Sequence, residues 1–174
     1  MKYKEIIIFI EGVKDESFVR RIIKPELEKK YTCVKLYPYS KKSDKIVNLY
    51  LKSIKKIEYS DYIFLSDFDS SPCVSFKKNK LIRKKDLEKE KIIIVIKEIE
   101  SWYIAGLNKG SSKKLGTPYY NNTDNFDKEQ FHKIKPNKFR SDIDFMQEVL
   151  NHYQIETAKR KNKSCKYFFS KISR

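Results

Sequence analysis

Five acidic residues directly follow the apolar runs in which strands are predicted for this chain. They are Glu11, Asp67, Asp69, Glu98 and Glu100. In open α/β sheets, functional sites form where loops meet at the carboxyl ends of strands. Carboxylates brought together at such a place repel one another, and a divalent cation with oxygen ligands relieves that repulsion. The pattern therefore predicts a Mg²⁺ or Mn²⁺ site.

Two further residues could reach the same site. Asp15 follows Glu11 by four residues, so it would lie near the site if a helix begins at once, although it could instead complement the helix N-terminus. Lys97 ends the fourth apolar run, where it could stabilise negative charge in a transition state or simply be solvated. The implied chemistry is hydrolysis of a phosphodiester. Asp67 and Asp69 would hold the principal ion, and Glu11 would ligate it, activate water, or do both.

Apolar periodicity predicts the elements that position these residues. Short apolar or alternating runs predict strands at 6–10, 33–39, 62–65 and 92–96. Apolar residues at helical spacing predict helices at 13–30, from 43 to 57, at 98–107 and at 142–153. Strands that alternate with helices and are apolar on both faces are typical of an α/β fold with a mostly parallel sheet and helices on both faces.

The length of 174 residues suits a single domain. Residues 1–107 are predicted to form its α/β core, and residues 108–174 a basic, helical C-terminal extension packed on that core. Within the extension, frequent Gly, Pro and Asn residues from Asn108 to Lys138 predict an irregular loop. Lys159 to Lys171 is predicted to be a basic tail, docked by Tyr167, Phe168 and Phe169.

The formal net charge is +16, and residues 70–174 carry 24 basic against 12 acidic residues. Positive surface of this size attracts polyanions through phosphate neutralisation, although AT-rich coding also produces chains rich in Lys, Asn and Tyr. DNA or RNA is the expected partner. The predicted phosphate contacts are Lys77, Lys78, Lys84, Lys85, Lys159, Arg160, Lys161 and Lys163.

Other features of the sequence exclude several classes of protein. No stretch approaches the roughly 18 apolar residues that a membrane span needs, and the first predicted strand begins too early for a signal peptide. We therefore expect a cytoplasmic protein without membrane contact. The three cysteines, Cys33, Cys73 and Cys165, lie far apart without C-x-x-C spacing, so reduced thiols are expected.

Two segments together resemble the Toprim domain of topoisomerases, primases and OLD-type nucleases. IIIFIEGVKDE contains a Glu-Gly turn after the first strand, and IFLSDFDSS contains an Asp-x-Asp after the third. A further segment, KEIESWYIAGL, resembles small stand-alone Toprim-like proteins, including RloB-like ones, with a Glu two positions before a Trp. The resemblance implies a Toprim-like fold over roughly residues 6–107, a role for Glu100 rather than Glu98, and a second metal ion near Glu11 and Asp15.

The sequence also departs from the Toprim pattern. The usual glycine after Asp-x-Asp is absent, since Ser70, Ser71 and Pro72 follow instead. This disfavours the topoisomerase and primase branches more than the nuclease branch. The chain lacks a Walker A motif, so any ATPase partner would be a separate protein. The resemblance further implies a role in phage defence.

These observations predict a metal-dependent Toprim-type nuclease. Its predicted catalytic residues are Glu11, Asp67, Asp69, Lys97 and Glu100. The predicted ligands of one or two ions are Glu11, Asp15, Asp67, Asp69 and Glu100. Two alternatives stay open: a receiver-like phosphoryl switch formed by Glu11, Asp67 and Lys97, and a non-catalytic nucleic-acid-binding module. The fourth strand lacks the hydroxyl residue that a receiver needs, and a binding module leaves the strand-end acids unexplained.

Overall fold

The computed structural model describes residues 3–173, in which four strands form one parallel sheet. The strands are β1 (Glu5–Ile10), β2 (Cys33–Pro38), β3 (Ser60–Asp67) and β4 (Ile92–Val95). Their order in the sheet is β2-β1-β3-β4, with helices flanking the sheet. The α/β class and the parallel sheet that the periodicity predicts are therefore confirmed.

The chain divides into two compact units, Met1–Ile94 and Val95–Arg174. This boundary lies at the end of the sheet, before the predicted change at residue 107. The helix predicted at 98–107 lies in the second unit and not in the α/β core. Within that unit it contacts other helices, which is why the boundary falls before it.

The helices of the first unit follow β1, β2 and β3 in turn. After β1, helix α1 (Val13–Phe18), a π-helical turn (Val19–Ile23) and helix α2 (Lys24–Leu27) succeed one another. Helix α3 (Asp44–Lys55) follows β2, and helix α4 (Val74–Lys84) follows β3. The sequence predicts phosphate contacts in the segment of α4 but no helix there. Its Cys73 cap, where the thiol accepts the N–H of Phe76, is a weaker start signal than Ser or Asp.

The core of the first unit explains why β1 is a continuous apolar run. All six residues of β1 are buried, so both faces of the sheet are covered at this strand. Alternate residues such as Ile7 and Phe9 pack on one face with Val47 and Leu51 of α3. Phe9 stacks on Phe64 of the neighbouring strand, with ring centroids 5.6 Å apart. The buried central strands thus hold fixed the residues that follow them.

The second unit consists of helices around a buried central one. Helix α5 (Glu100–Ala105) is buried along its whole length. The other helices described are α6 (Lys109–Leu115), α7 (Lys128–Ile134), α8 (Asp142–Asn151), α9 (Ile155–Lys161) and α10 (Lys163–Ile172). Helix α5 contacts α7, α8 and α9, and Trp102 packs on Phe168 of α10. The indole N–H of Trp102 donates to Ser164 Oγ at 2.8 Å, which satisfies its buried donor.

Two predictions for this part of the chain are wrong. The segment from Asn108 to Lys138 contains α6 and α7 rather than an irregular loop throughout. Asn108 and Asp127 cap these seven-residue helices, but their mostly polar residues give little apolar periodicity. Tyr167, which was expected to dock the basic tail, is exposed, whereas Phe168 and Phe169 are buried as expected. The tail itself lies in two helices, as predicted for a helical extension.

Among residues 3–173, no helix is both long enough and apolar enough to cross a membrane. The three cysteines are unbridged, as expected.

Candidate functional site

The carboxyl ends of three adjacent strands meet at one edge of the sheet. Strand β1 lies between β2 and β3, and its last residue, Ile10, pairs with Pro38 at the end of β2. On the other side, Phe9 pairs with Phe64 of β3. We call the acids that follow β1 and end or follow β3 the acidic edge: Glu11, Asp15, Asp67 and Asp69. Strand order and register, which are tertiary features, bring β1 and β3 together here.

Glu11 is held in place by donors from the ends of both neighbouring strands. Its Oε1 accepts hydrogen bonds from the Tyr39 hydroxyl at 3.0 Å, the Ser66 hydroxyl at 3.1 Å and the N–H of Asp67 at 3.3 Å. All three bonds go to the same carboxylate oxygen. The side chain is therefore oriented through Oε1, and Oε2 takes part in none of these three bonds.

Tyr39 is a buried donor, with 8% of the residue exposed. Its hydroxyl also lies 2.9 Å from the carbonyl oxygen of Leu65, so one proton is shared between two acceptors. Burial raises the pKa of Tyr39 above its ordinary value, and the charge of Glu11 adds to this effect. The phenol consequently keeps its proton and acts as a donor. Asp15 raises the same pKa to a smaller extent, which indicates that its charge is also felt at this edge.

Asp15 has a structural role in addition to the predicted one. Its Oδ2 accepts the N–H of Gly12 at 2.8 Å, which caps the beginning of α1. The residue is 8% exposed. Helix capping, the alternative considered for Asp15, is therefore present in the structure. Ligation of a metal ion by this residue stays a prediction.

Asp67 and Asp69 differ in their surroundings although only one residue separates them. Asp67 is the last residue of β3, and its backbone N–H contacts Glu11. Asp69 lies beyond the strand, has a φ of 51°, and forms an ion pair with the ammonium of Lys77 from α4. The Asp-x-Asp pair therefore does not present two equivalent carboxylates. Asp67 belongs with Glu11, whereas Asp69 belongs with Lys77.

Lys77 differs from the surface phosphate contact that we predicted. The residue is only 8% exposed, and its ammonium meets the Asp69 carboxylate. The prediction assumed that the strand-end acids lack a matching Lys or Arg, and for Asp69 that assumption is wrong.

Two of the three other basic residues predicted in the first unit also have protein partners. Lys85 pairs with Asp44 at 2.6 Å, and its side chain is 11% exposed. Lys78 donates to the carbonyl of Lys89 at 3.1 Å. Lys84 is exposed on α4. Of these three, Lys84 therefore fits a surface phosphate contact best.

In the second unit, the two acids near the start of α5 have different surroundings. Glu98 accepts the N–H of Lys128 at 2.8 Å and pairs with its ammonium at 3.4 Å. Glu100 is 3% exposed and begins α5. Lys97 is exposed and has a φ of 62°, an uncommon conformation for a residue other than glycine. Catalytic roles for Glu100 and Lys97 stay predictions.

A concave surface of the second unit gathers most of its predicted phosphate contacts. This basic pocket has a volume of about 460 Å³. Its basic lining residues are Lys159, Arg160, Lys161, Lys163 and Lys166. Two acids in the lining balance them in part, since Glu156 pairs with Lys159 at 2.8 Å and Asp124 with Lys163 at 3.5 Å. The pocket keeps an excess of positive charge, which is a favourable environment for phosphate groups.

Lys161 is an exception among the residues of the basic pocket. It is 5% exposed, and its ammonium donates to the carbonyl oxygens of Leu107 at 2.7 Å and Ile104 at 3.3 Å. Burial lowers the pKa of Lys161 to about 8. The prediction that Lys161 contacts phosphate at the surface is therefore wrong. Lys166, which is exposed beside the pocket and which the sequence analysis did not select, is better placed to meet phosphate.

The described residues do not form the predicted five-carboxylate metal cluster. Among residues 3–173, no group of three or more His, Cys, Asp and Glu is arranged to hold a metal ion. Mg²⁺, however, is commonly held by one or two carboxylates, with water and substrate phosphates as the other ligands. Glu11 and Asp67 supply oxygen donors of that kind on adjacent strand ends.

Three residues contact the acidic edge in ways that the sequence did not predict: Tyr39, Ser66 and Lys77. A signal for two of them was present, because Tyr39 ends the second predicted strand and Ser66 immediately precedes Asp67. The rule that selected the acids at strand ends applies equally to these hydroxyl donors. Lys77 had no comparable signal, since its pairing with Asp69 depends on how α4 packs.

Comparisons of this chain with models of protein families, with curated proteins and with solved structures find no match. The resemblance to Toprim proteins accordingly rests on the residues that carry it.

Proposed function

We propose that this chain is a divalent-cation-dependent phosphodiesterase that hydrolyses nucleic acid at the acidic edge. The observation that carries the proposal is the fixed Glu11 carboxylate, which three donors hold by one oxygen beside Asp67. A carboxylate that served only as a surface charge would not need three donors from two strands. Glu11 and Asp67 are therefore the residues on which the chemistry depends.

Each residue of the edge has a distinct role in the proposed reaction. The second oxygen of Glu11 orients a water molecule and takes its proton as the water oxygen forms a bond to phosphorus. The bond from phosphorus to the leaving oxygen breaks, and that oxygen is protonated from solvent. Tyr39 and Ser66 keep Glu11 in one orientation throughout. Asp67 contributes a hard oxygen ligand directly beside this carboxylate.

A divalent cation bound by Glu11 and Asp67 would polarise the phosphodiester and stabilise the leaving alkoxide. Mg²⁺ and Mn²⁺ are the ions that carboxylate oxygens suit best. The small number of protein ligands means that substrate phosphates would complete the coordination. We therefore expect metal and substrate to bind with positive coupling.

The charge distribution supports nucleic acid as the substrate class. The net charge is +16, and the basic pocket of the second unit offers an excess of cations to phosphates. A receiver domain has no need of such charge. A non-catalytic binding module would have no use for a fixed carboxylate, which repels phosphate unless a cation lies between them.

The test is a cleavage assay with supercoiled plasmid, single-stranded DNA and bulk tRNA. Each substrate is incubated with the purified chain in Mg²⁺, in Mn²⁺ and in excess chelator. We expect cleavage of at least one substrate with metal and none with chelator. Glu11→Gln should abolish cleavage, whereas the matched control Glu16→Gln, five residues along and paired with Arg20 at 2.7 Å, should retain it.

Each alternative gives a different result in this assay. Cleavage that persists in chelator would contradict the metal-dependent mechanism. Binding of nucleic acid without cleavage of any of the three substrates would favour the binding module. Labelling of Asp67 by a small phosphodonor, with loss in Asp67→Asn, would identify the receiver.

A further inference from the structure

Lys77 combines two features that are unfavourable unless a partner compensates them. Its side chain is 10% exposed, so its ammonium lies near the protein interior rather than in bulk water. It also lies in the first turn of α4, where the helix dipole disfavours positive charge. Burying a cation in such a position is costly unless a carboxylate neutralises it.

Asp69 provides that carboxylate in an uncommon backbone conformation. Its φ of 51° lies in the left-handed region, which Asp tolerates better than most residues. Its side chain is 62% exposed, so solvent and dissolved ions can reach the carboxylate. The Asp69 carboxylate therefore faces a buried lysine on one side and solvent on the other.

This arrangement bears on the metal chemistry of the acidic edge. Asp69 was predicted from the sequence to be a principal metal ligand, yet a protein cation already neutralises it. A divalent ion can use Asp69 only by sharing it with the ammonium or by displacing it, and two cations near one carboxylate repel each other. Glu11, by comparison, accepts two hydroxyl groups and one backbone N–H at its Oε1.

We propose that Lys77 is a built-in counter-cation that competes with divalent metal ions for Asp69 and thereby lowers the metal affinity of the acidic edge. The inference rests on the proposed function, because it concerns the same metal site. Its consequence is that a metal ion can use Asp69 as a ligand only when the ammonium of Lys77 moves away from that carboxylate. Lys77 is thus a positioning residue that acts through Asp69.

Binding of Mn²⁺ to the full chain, measured by titration calorimetry and by electron paramagnetic resonance without substrate, tests this inference. Lys77→Met keeps the unbranched apolar stem and removes the charge, so the buried position stays filled. We expect Lys77→Met to bind Mn²⁺ about tenfold more tightly than the unaltered chain. The matched control Lys80→Met, which removes an exposed lysine from the same helix, should leave the affinity almost unchanged.

A second pair of variants shows whether the effect passes through Asp69. In an Asp69→Asn background, Lys77→Met should no longer tighten Mn²⁺ binding, since the carboxylate for which Lys77 and the metal ion compete is absent. Unfolding followed by circular dichroism in chelator verifies that each variant is folded. A purely structural role for Lys77 predicts the opposite result, in which Lys77→Met weakens Mn²⁺ binding or leaves it unchanged.

The outcomes separate this inference from the proposed function. If the unaltered chain binds Mn²⁺ through Glu11 and Asp67 but Lys77→Met does not tighten binding, the counter-cation role is wrong and the metal site stands. If neither form binds Mn²⁺, and cleavage proceeds in chelator, the proposed metal site fails and this inference fails with it. Tighter binding in Lys77→Met that Asp69→Asn removes supports the inference.

Discussion

Within residues 3–173, each of the two units buries one lysine, but the two ammonium groups meet different partners. Lys77 in the first unit meets the carboxylate of Asp69. Lys161 in the second unit meets the carbonyl oxygens of Ile104 and Leu107 and lies over the ring of Tyr119, 4.6 Å from its centroid. A full negative charge compensates the first ammonium, whereas only dipoles and a ring face compensate the second.

The difference shows that a count of basic residues is a poor guide to what each one does. Both lysines look like phosphate contacts in the sequence, and neither side chain is more than slightly exposed. The ammonium of Lys77 pairs with Asp69 of the acidic edge. The ammonium of Lys161, at the end of α9, donates to one carbonyl oxygen in α5 and one just after it. The same comparison separates the units by expected role: the first supplies reactive carboxylates, and the second supplies surface cations for binding.

The largest expected effect is the loss of cleavage when Asp67 is replaced by Asn. This change removes an anionic ligand beside Glu11, so we expect the cleavage rate to fall by about a thousandfold or more, with little change in affinity for nucleic acid. Single-turnover kinetics and a binding assay without metal measure the two quantities. Asp86→Asn, which alters an exposed acid of the same unit, serves as the control. A near-native rate in Asp67→Asn would show that the first unit does not supply the chemistry.

The second prediction concerns the basic pocket. Replacing its four surface cations by Gln should weaken binding about tenfold or more, and each lost phosphate contact should lower the log-log salt slope by about 0.7 to 0.9. The saturated rate should change little, because these contacts act equally on bound substrate and transition state. The positions are Lys159, Arg160, Lys163 and Lys166.

A matched control for the basic pocket removes the same total charge elsewhere. It replaces four exposed lysines of the first unit, namely Lys29, Lys30, Lys52 and Lys56. Binding measured across a salt series should show the larger change for the pocket variant. Equal slopes for both variants would mean that total charge, rather than the pocket, attracts the substrate. A collapsed saturated rate would place a pocket residue in the chemistry.

The third prediction contrasts Asp67 with Asp69 in their effect on stability. On sequence grounds, removing either acid should leave the fold intact or more stable, because like charges are separated. The ion pair with Lys77 changes this expectation for Asp69. Asp69→Asn should lower the free energy of unfolding by about 1 kcal/mol, because it leaves a poorly hydrated ammonium without its carboxylate.

Urea unfolding in chelator measures this difference. Asp69→Asn should be less stable than Asp67→Asn, and the effect should shrink when Lys77 is also changed to Met. If Asp69→Asn were as stable as the unaltered chain, Lys77 would not depend on Asp69.

The smallest expected effect is a dependence of stability on pH that comes from Lys161. Its pKa is about 8 in the folded chain against an ordinary value of 10.5, so the unfolded chain binds more protons between these values. Stability from this group therefore rises as pH increases from 8 toward 10.5, and its cost is fully present below pH 8. Between pH 8 and pH 9 we expect a gain of about 1 kcal/mol from this group.

The variant Lys161→Met isolates this contribution, because other groups titrate equally in both proteins. As pH rises, the unaltered chain should gain unfolding free energy relative to Lys161→Met, because Met does not titrate. Parallel curves from pH 7 to pH 10 would show that Lys161 keeps an ordinary pKa. Lys163→Met, at an exposed neighbouring position, should give such parallel curves.

The sequence by itself determined the α/β class, the four strands and the acids at the ends of the first and third strands. These features are local, because β-branched runs and apolar periodicity depend on residues close together in the chain. Glu11, Asp67 and Asp69 could therefore be selected before any contact between strands was known. The short helices α6 and α7 were not predicted, since seven mostly polar residues give too little apolar periodicity to detect.

The tertiary structure alone decided what each selected residue meets. Strand order puts β1 beside β3, so that Glu11 receives donors from Tyr39, Ser66 and Asp67, which lie 28, 55 and 56 residues away in the chain. Packing of α4 gives Asp69 its lysine. Packing within the second unit buries Lys161 while leaving Lys163 at the surface. Such pairings depend on the desolvation and geometry of residues that are distant in sequence. Local sequence patterns therefore do not reveal them.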